Sequence, residues 1–120
     1  MHRYRIPSTS PMVPFDDGLE LSASGVAANV ETLLAIGVDG IGFGFSEPWH
    51  LSFEERKRAI SLHVEAVAGR AVCYVHATDH SVRNTVALLR HAQEAGADAA
   101  MVWVPYEFAK SQQMAIEWFE

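Results

Sequence analysis

Short apolar runs at Gly40–Gly44, Ala71–Val75 and Ala99–Val104 recur along this chain, each preceded by a helical pattern. Their spacing, roughly thirty residues, is the length of one βα unit. The runs are continuously apolar rather than alternating, the pattern of parallel strands covered on both faces. The junction between helix and strand repeats as well: Gly37-Val38-Asp39 returns two units later as Gly96-Ala97-Asp98. Right-handed crossovers place the C-terminal ends of such strands on one side of the sheet, and ligands of these folds bind there. With a poorly patterned first strand over Ser10–Phe15, the chain counts four βα units. A closed eight-unit barrel takes about 250 residues, so 120 residues make half of one. The expected architecture is α/β: the N-terminal (βα)4 portion of a TIM (β/α)8 barrel, with parallel strands and outer helices, as a single partial domain over residues 1–120.

The helices carry their own boundary signals. The first is expected over Ser24–Ile36, where Val26, Val30, Leu33 and Leu34 form a one-sided stripe and Gly37 follows the end. The second begins at Ser52-Phe53-Glu54-Glu55, a capping box in which Glu55 reaches back to the Ser52 amide. Two carboxylates in that first turn suit the helix dipole. Ile60, Val64 and Val67 make its buried stripe, and Gly69 closes it. The third runs over Val82–Ala95 behind Ser81, with Val86 and Leu89 inward and Gly96 at its end, and a last helix covers Ser111–Phe119.

Composition narrows the partners. Nine basic against fifteen acidic residues leave a net charge of −6. That argues against binding nucleic acid or an anionic membrane, since both need a positive surface. No apolar run approaches the roughly eighteen residues of a membrane span, and the basic N-terminus lacks the apolar stretch of a secretory signal. A cytoplasmic location is expected. The one cysteine, Cys73, excludes an internal disulfide and a multi-cysteine zinc site. Inside an apolar strand its thiol is expected to be inert.

The polar residues gather after the strands. The first such segment is Val13-Pro14-Phe15-Asp16-Asp17-Gly18. Next come Gly37-Val38-Asp39-Gly40, then the loop Phe43 to Glu47 leading into Leu51-Ser52-Phe53-Glu54-Glu55-Arg56. Gly69-Arg70, the ending Ala95-Gly96-Ala97-Asp98-Ala99 and Pro105-Tyr106 complete the set. In this order the segments resemble the dihydrodipicolinate synthase and N-acetylneuraminate lyase family of Schiff-base, pyruvate-dependent class I aldolases. No single piece is specific; the ordered set is.

The resemblance implies a (β/α)8 barrel that is usually a homo-oligomer. It also implies a lysine at the end of the sixth strand that forms an imine with pyruvate or a related 2-oxo acid, an aldehyde as second substrate, and no cofactor. The loop after the second strand would take the substrate carboxylate on backbone N–H groups and a hydroxyl. A glycine-containing turn leading into a helix start does present convergent N–H donors to an anion. Carried over by position, the donors are Gly44 and Phe45, with Ser46 and Glu47 completing the loop. Glu47 is expected to hold that loop by accepting its amides. Tyr106 is either a site-wall residue, a dimer-contact aromatic, or packing.

The departures from the family pattern matter too. Its Gly-Thr-Thr-Gly-Glu loop is here Phe43-Gly44-Phe45-Ser46-Glu47, without both threonine hydroxyls. Phe45 has a counterpart in hydratase-aldolases acting on aromatic aldehydes, and Glu107 replaces the second tyrosine of the family's Pro-Tyr-Tyr. Lys57 and Lys110, the only lysines, fall where an imine-forming lysine does not. That lysine and its tyrosine partner are expected beyond residue 120. His76, Asp79 and His80, with His50 nearby, have the residue types of a zinc site. However, they sit in loops with no helix face to fix them, so no metal is expected. His76 and His80 read as ordinary loop histidines, with a polar pocket role as the alternative. Trp49 and Trp103 read as packing groups, and Asp39 and Asp98 as turn residues.

Three functions remain in competition. The chain is the N-terminal portion of a larger lyase, inactive by itself; or a stand-alone half-barrel that self-associates or complements a separate C-terminal half; or a small binding protein that keeps only the carboxylate loop.

Overall fold

The structure, a computed structural model, describes residues 8–44, 50–104 and 111–120. Four parallel strands stand side by side in chain order: β1 (Ser8–Thr9), β2 (Gly40–Phe43), β3 (Val72–His76) and β4 (Ala99–Met101). The helices are α1 (Ala23–Ala35), α2 (Phe53–Val67), α3 (Val82–Ala95) and α4 (Gln112–Phe119). Register pairs Ile41 with Cys73, Phe43 with Val75, and Val75 with Ala100. Strand order that simply follows chain order, with a helix in the crossovers, is the wall of a (β/α) barrel; a doubly wound sheet reverses its order partway.

The expected first strand over Ser10–Phe15 is absent. β1 lies just before it, pairing Ser8 and Thr9 with Gly40 and Ile41. Phe15 instead makes an antiparallel bridge to Leu21. Pro11 and Pro14 have no amide to donate to a ladder. Asp16 then turns the chain, its carboxylate accepting the Gly18 and Glu20 amides at 2.9 and 3.0 Å.

Capping fixes the helices much as the sequence indicates. Ser52 donates its amide to Glu55 at 2.7 Å, and the Ser52 hydroxyl accepts the Glu55 amide at 3.3 Å. α1 starts one residue earlier than expected because Ser22, accepting from Gly25, is its cap. At the end of α2 the left-handed conformation spans two residues, the cap Ala68 and the expected Gly69 after it. Arg70 then donates to the Val67 and Ala66 carbonyls at 3.3 and 2.7 Å, satisfying acceptors that a helix end leaves open.

One cluster of the core joins Phe43, Ala59, Ile60, Val75, Ala77, Leu88 and Ala92 between the sheet and α2 and α3. A second, of Val30, Ile41, Val67 and Cys73, closes the wall toward α1. Ile60 and Leu88 are fully buried, each contributing about 2 kcal/mol by leaving water. The expectation that Val86 faces inward is wrong: it is 40 % exposed, while Thr85, Leu88 and Ala92 are buried. Positions two apart on a helix lie about 200° apart, so once Leu88 faces the sheet Val86 must turn away.

Toward β4 the other face of the sheet is open. All three residues of β4 are exposed, and Val72, Tyr74, Ala99, Ala100 and Met101 line an apolar hollow of about 270 Å³.

Candidate functional site

The C-terminal ends of β2, β3 and β4 bring together Gly44, the turn His76–Asp79 and Trp103. Gly44 follows β2 directly with φ +79°, a conformation that side chains rarely adopt. Its Cβ position would lie 3.9 Å from the His76 Cβ. Of the expected carboxylate loop, Gly44 is therefore placed at the top of the wall. Phe45, Ser46, Glu47 and Tyr106 lie outside the described residues, as do Trp49 and Lys110.

A buried polar network ties these strand ends to one another. Arg56, 5 % exposed, rises from the start of α2 and donates to Asp79 at 2.8 Å and to the Thr78 carbonyl. Burial lowers the guanidinium pKa while the Asp79 charge opposes that shift. Asp79 also accepts the Ser81 amide at 2.8 Å and the Asn84 side chain at 3.2 Å. Its amide donates to Thr85 at 3.0 Å, so it organises the start of α3. The Thr78 hydroxyl, fully buried, accepts the Trp103 amide at 2.7 Å. Thr78→Val keeps the shape but removes that acceptor. It is expected to cost about 1–3 kcal/mol, read as a lower urea midpoint with faster exchange of the Trp103 amide; an unchanged midpoint would refute it.

Two histidines are buried here, and neither is an ordinary loop histidine. His76 is the last residue of β3, 3 % exposed, with its ring 4.5 Å from that of Trp103. Desolvation, then the nearby Arg56 charge, pull its pKa down to about 4, against an opposing hydrogen bond with the Gly44 backbone. His63 on α2 is fully buried, its Nε2 3.3 Å from the Ile41 carbonyl and its ring 5.1 Å from Phe43. Desolvation lowers its pKa, and among the described residues its Nδ1 has no hydrogen-bond partner. By contrast, the expectation for His80 stays with the surface: it is exposed, as is His50. Among the described residues no three His, Cys, Asp or Glu side chains converge as metal ligands would.

Several residues turn out to be structural. Lys57 pairs with Glu54 at 3.4 Å and stands over the Phe53 ring on α2. The Cys73 thiol is buried, and burial pushes its pKa up to about 11. Asp98 does more than turn the chain: its carboxylate accepts the Cys73 amide at 2.8 Å, and its own amide donates to the Cys73 carbonyl at 2.8 Å. Trp103, expected as packing, sets its ring against His76 at a 50° tilt yet remains 46 % exposed. Sequence reasoning missed Arg56 and Thr78. One signal was there for Arg56, since a cation near a helix N-terminus opposes the dipole and calls for another partner.

A parallel wall of βα units, with a positive-φ glycine and tightly bonded βα turns at the strand C-terminal ends, defines the N-terminal portion of a (β/α)8 barrel. The family profile described as the dihydrodipicolinate synthetase family matches residues 5–120, and the chain belongs to that family. It is 37 % identical over 101 residues to 4-hydroxy-tetrahydrodipicolinate synthase of Bartonella quintana, covering 82 % of this chain and 34 % of that protein. With YagE of Escherichia coli K12 it shares 34 % identity over 117 residues, 96 % of this chain and 38 % of YagE. The structure of YagE in complex with pyruvate superposes with a TM-score of 0.85 at 32 % identity, covering 97 % of this chain and 40 % of that one. Dihydrodipicolinate synthase of Bacteroides thetaiotaomicron does so with a TM-score of 0.87 at 29 % identity, covering 95 % and 40 %. The chain thus spans little more than a third of the length of these relatives. Among the described residues, no helix is long and apolar enough to cross a membrane.

Proposed function

We propose that this chain is the N-terminal part of a Schiff-base-forming lyase or aldolase acting on pyruvate or a related 2-oxo acid. It carries the carboxylate-binding loop begun by Gly44 and completed by Phe45, Ser46 and Glu47, with Tyr106 in the wall of the site. The single observation that supports this best is the placement of Gly44 at positive φ at the C-terminal end of β2. That is where a loop can turn amides toward an anion, and a relative of the same fold was solved with pyruvate bound. The imine-forming lysine belongs to a later strand; Lys57 sits on a helix, paired with Glu54. The second substrate is an aldehyde.

The test is reduction by borohydride in the presence of pyruvate, read by intact mass. The 120-residue chain is expected to gain no adduct, and a whole barrel of roughly 30 kDa from the native source, about 250 residues or more, to gain one. An adduct on the short chain would overturn the assignment of the lysine. A whole barrel without one would overturn the chemistry.

A second reading, a half-barrel that pairs with another half, is supported by the exposed β4 and the apolar hollow beside it. An open parallel edge invites a further strand. Sedimentation equilibrium of the short chain decides this: self-association supports the reading, and a monodisperse monomer removes it.

A further inference from the structure

His63 stands where the two apolar clusters of the core meet. Its ring lies 5.1 Å from that of Phe43, which belongs to the cluster shared with α3. Its Nε2 is 3.3 Å from the carbonyl of Ile41, which belongs to the cluster that closes toward α1. A carbonyl only accepts, so Nε2 carries the proton and Nδ1 the lone pair. The residue is 0 % exposed, and among the described residues Nδ1 has no hydrogen-bond partner. A proton on Nδ1 would therefore leave a positive charge and a second N–H buried without an acceptor. Water reaches that nitrogen only when α2 and β2 part.

No charged group offers the imidazolium a counter-charge. On α1 the acid is Glu31, paired with Arg70 at 2.6 Å. On α2 itself Lys57 pairs with Glu54 and Arg56 with Asp79, while Arg58 and Glu65 are exposed. β2 has no titratable side chain, and β3 carries Cys73, Tyr74 and His76. On α3 His91 is bonded to Ser61 and to the Lys57 carbonyl, and Arg83, Arg90 and Glu94 are exposed. What acts on the His63 ring is the loss of water, opposed by the Ile41 carbonyl.

We propose that His63 is an acid-operated latch between α2 and β2: when Nδ1 takes a proton, the side of the wall toward α1 parts from α2, while α2 and α3 stay together. The two sides of α2 are held differently. Toward α3, His91 Nε2 lies 2.9 Å from the Lys57 carbonyl and 2.8 Å from the Ser61 hydroxyl. A ring nitrogen that donates to a carbonyl does so in the neutral and the charged ring alike, so acid leaves this bond in place. The buried Arg56–Asp79 pair lies on the same side. Toward α1 the contact is the apolar packing of Val30, Ile41, Val67 and Cys73. Its one ion pair, Arg70–Glu31, is exposed at both partners and adds little.

The test uses the protein at its native length. Cys73, 3 % exposed within the cluster that opens, is labelled with a disulfide reagent and identified by peptide mass. Its rate is divided by that of an unfolded peptide of the same sequence at each pH, which removes the thiol's own pH dependence. Amide exchange of α3, read by mass spectrometry, reports whether the rest of the wall stays closed. The variant H63Q keeps a donor for the Ile41 carbonyl and takes up no proton. Between about pH 7.5 and pH 5, Cys73 protection in the wild type is expected to fall about tenfold or more. Over the same interval α3 keeps its protection, and Cys73 in H63Q stays level. Level protection in the wild type overturns the inference, as does a fall in H63Q equal to that of the wild type. A parallel loss in α3 overturns it too, because the wall would then open as a whole. Should H63Q not fold, H63N takes its place, and the wild-type comparison of Cys73 with α3 still decides whether the seam opens first.

Discussion

Arg56→Ala lowers the stability of this fold by about 3 kcal/mol. The substitution strips a buried carboxylate of its cation, since Asp79 is the ion-pair partner at 2.8 Å and is itself four-fifths buried as a side chain. It also removes the donor to the Thr78 carbonyl, so one change loosens the turns that follow β3 and lead to α3. Breaking one partner of a buried pair costs about 3–5 kcal/mol, and the partial exposure of Asp79 puts this case at the lower end. Urea unfolding followed by far-ultraviolet circular dichroism checks it. A double-mutant cycle with Asp79→Ala separates the pair's own coupling from the lost packing of the arginine stem. An Arg56→Ala midpoint equal to that of the unsubstituted chain would refute the prediction.

Acid weakens the fold in a window set by its buried histidines. The folded-state pKa of His76 lies at about 4 and that of His63 is also lowered, whereas both titrate near 6.5 once unfolded. Between those values the unfolded chain binds more protons than the folded one, so stability rises with pH and falls as acid is added. His76 alone accounts for a loss on the order of 3 kcal/mol between pH 6.5 and pH 4. His63 adds to it in the same direction. This is a large share of the roughly 5–15 kcal/mol that holds a domain together. Denaturant midpoints measured at half-unit steps of pH should decline through this interval and level off above pH 7. His63→Gln should make the decline shallower. A flat profile from pH 7 to pH 4 would show that neither imidazole is buried in its neutral form.

Much of the architecture was legible because its signals are local. Ser52 and Glu55 are three residues apart, and a capping box needs nothing from the rest of the chain. The same holds for α3 between Ser81 and Gly96, found where expected. Less local features misled. Residues 10–15 have apolar content but carry two prolines, and the strand formed just upstream. Val86 has the hydrophobicity of a core residue, yet the orientation of α3 is set by Leu88 against the sheet. Of the candidate site, Gly44 was legible as the glycine of a loop after a strand. His76 was read as a loop residue because the strand was expected to end at Val75; one more residue of pairing, to Met101, places it in β3 instead.

By itself the sequence determined the alternation of strands and helices, their caps, the parallel character of the sheet and the family to which the chain belongs. These follow from hydrophobic period, hydrogen-bonding side chains beside helix ends, and ordered motifs, all properties of short stretches. Only the tertiary structure decided that Arg56 meets Asp79, that Thr78 accepts the Trp103 amide, and that His76 lies between Gly44 and Trp103. Each of those contacts joins different βα units, and their distance along the chain leaves no periodic trace. What brings them together is the packing of α2 and α3 on one face of a staggered parallel sheet, where a buried polar group must find a partner.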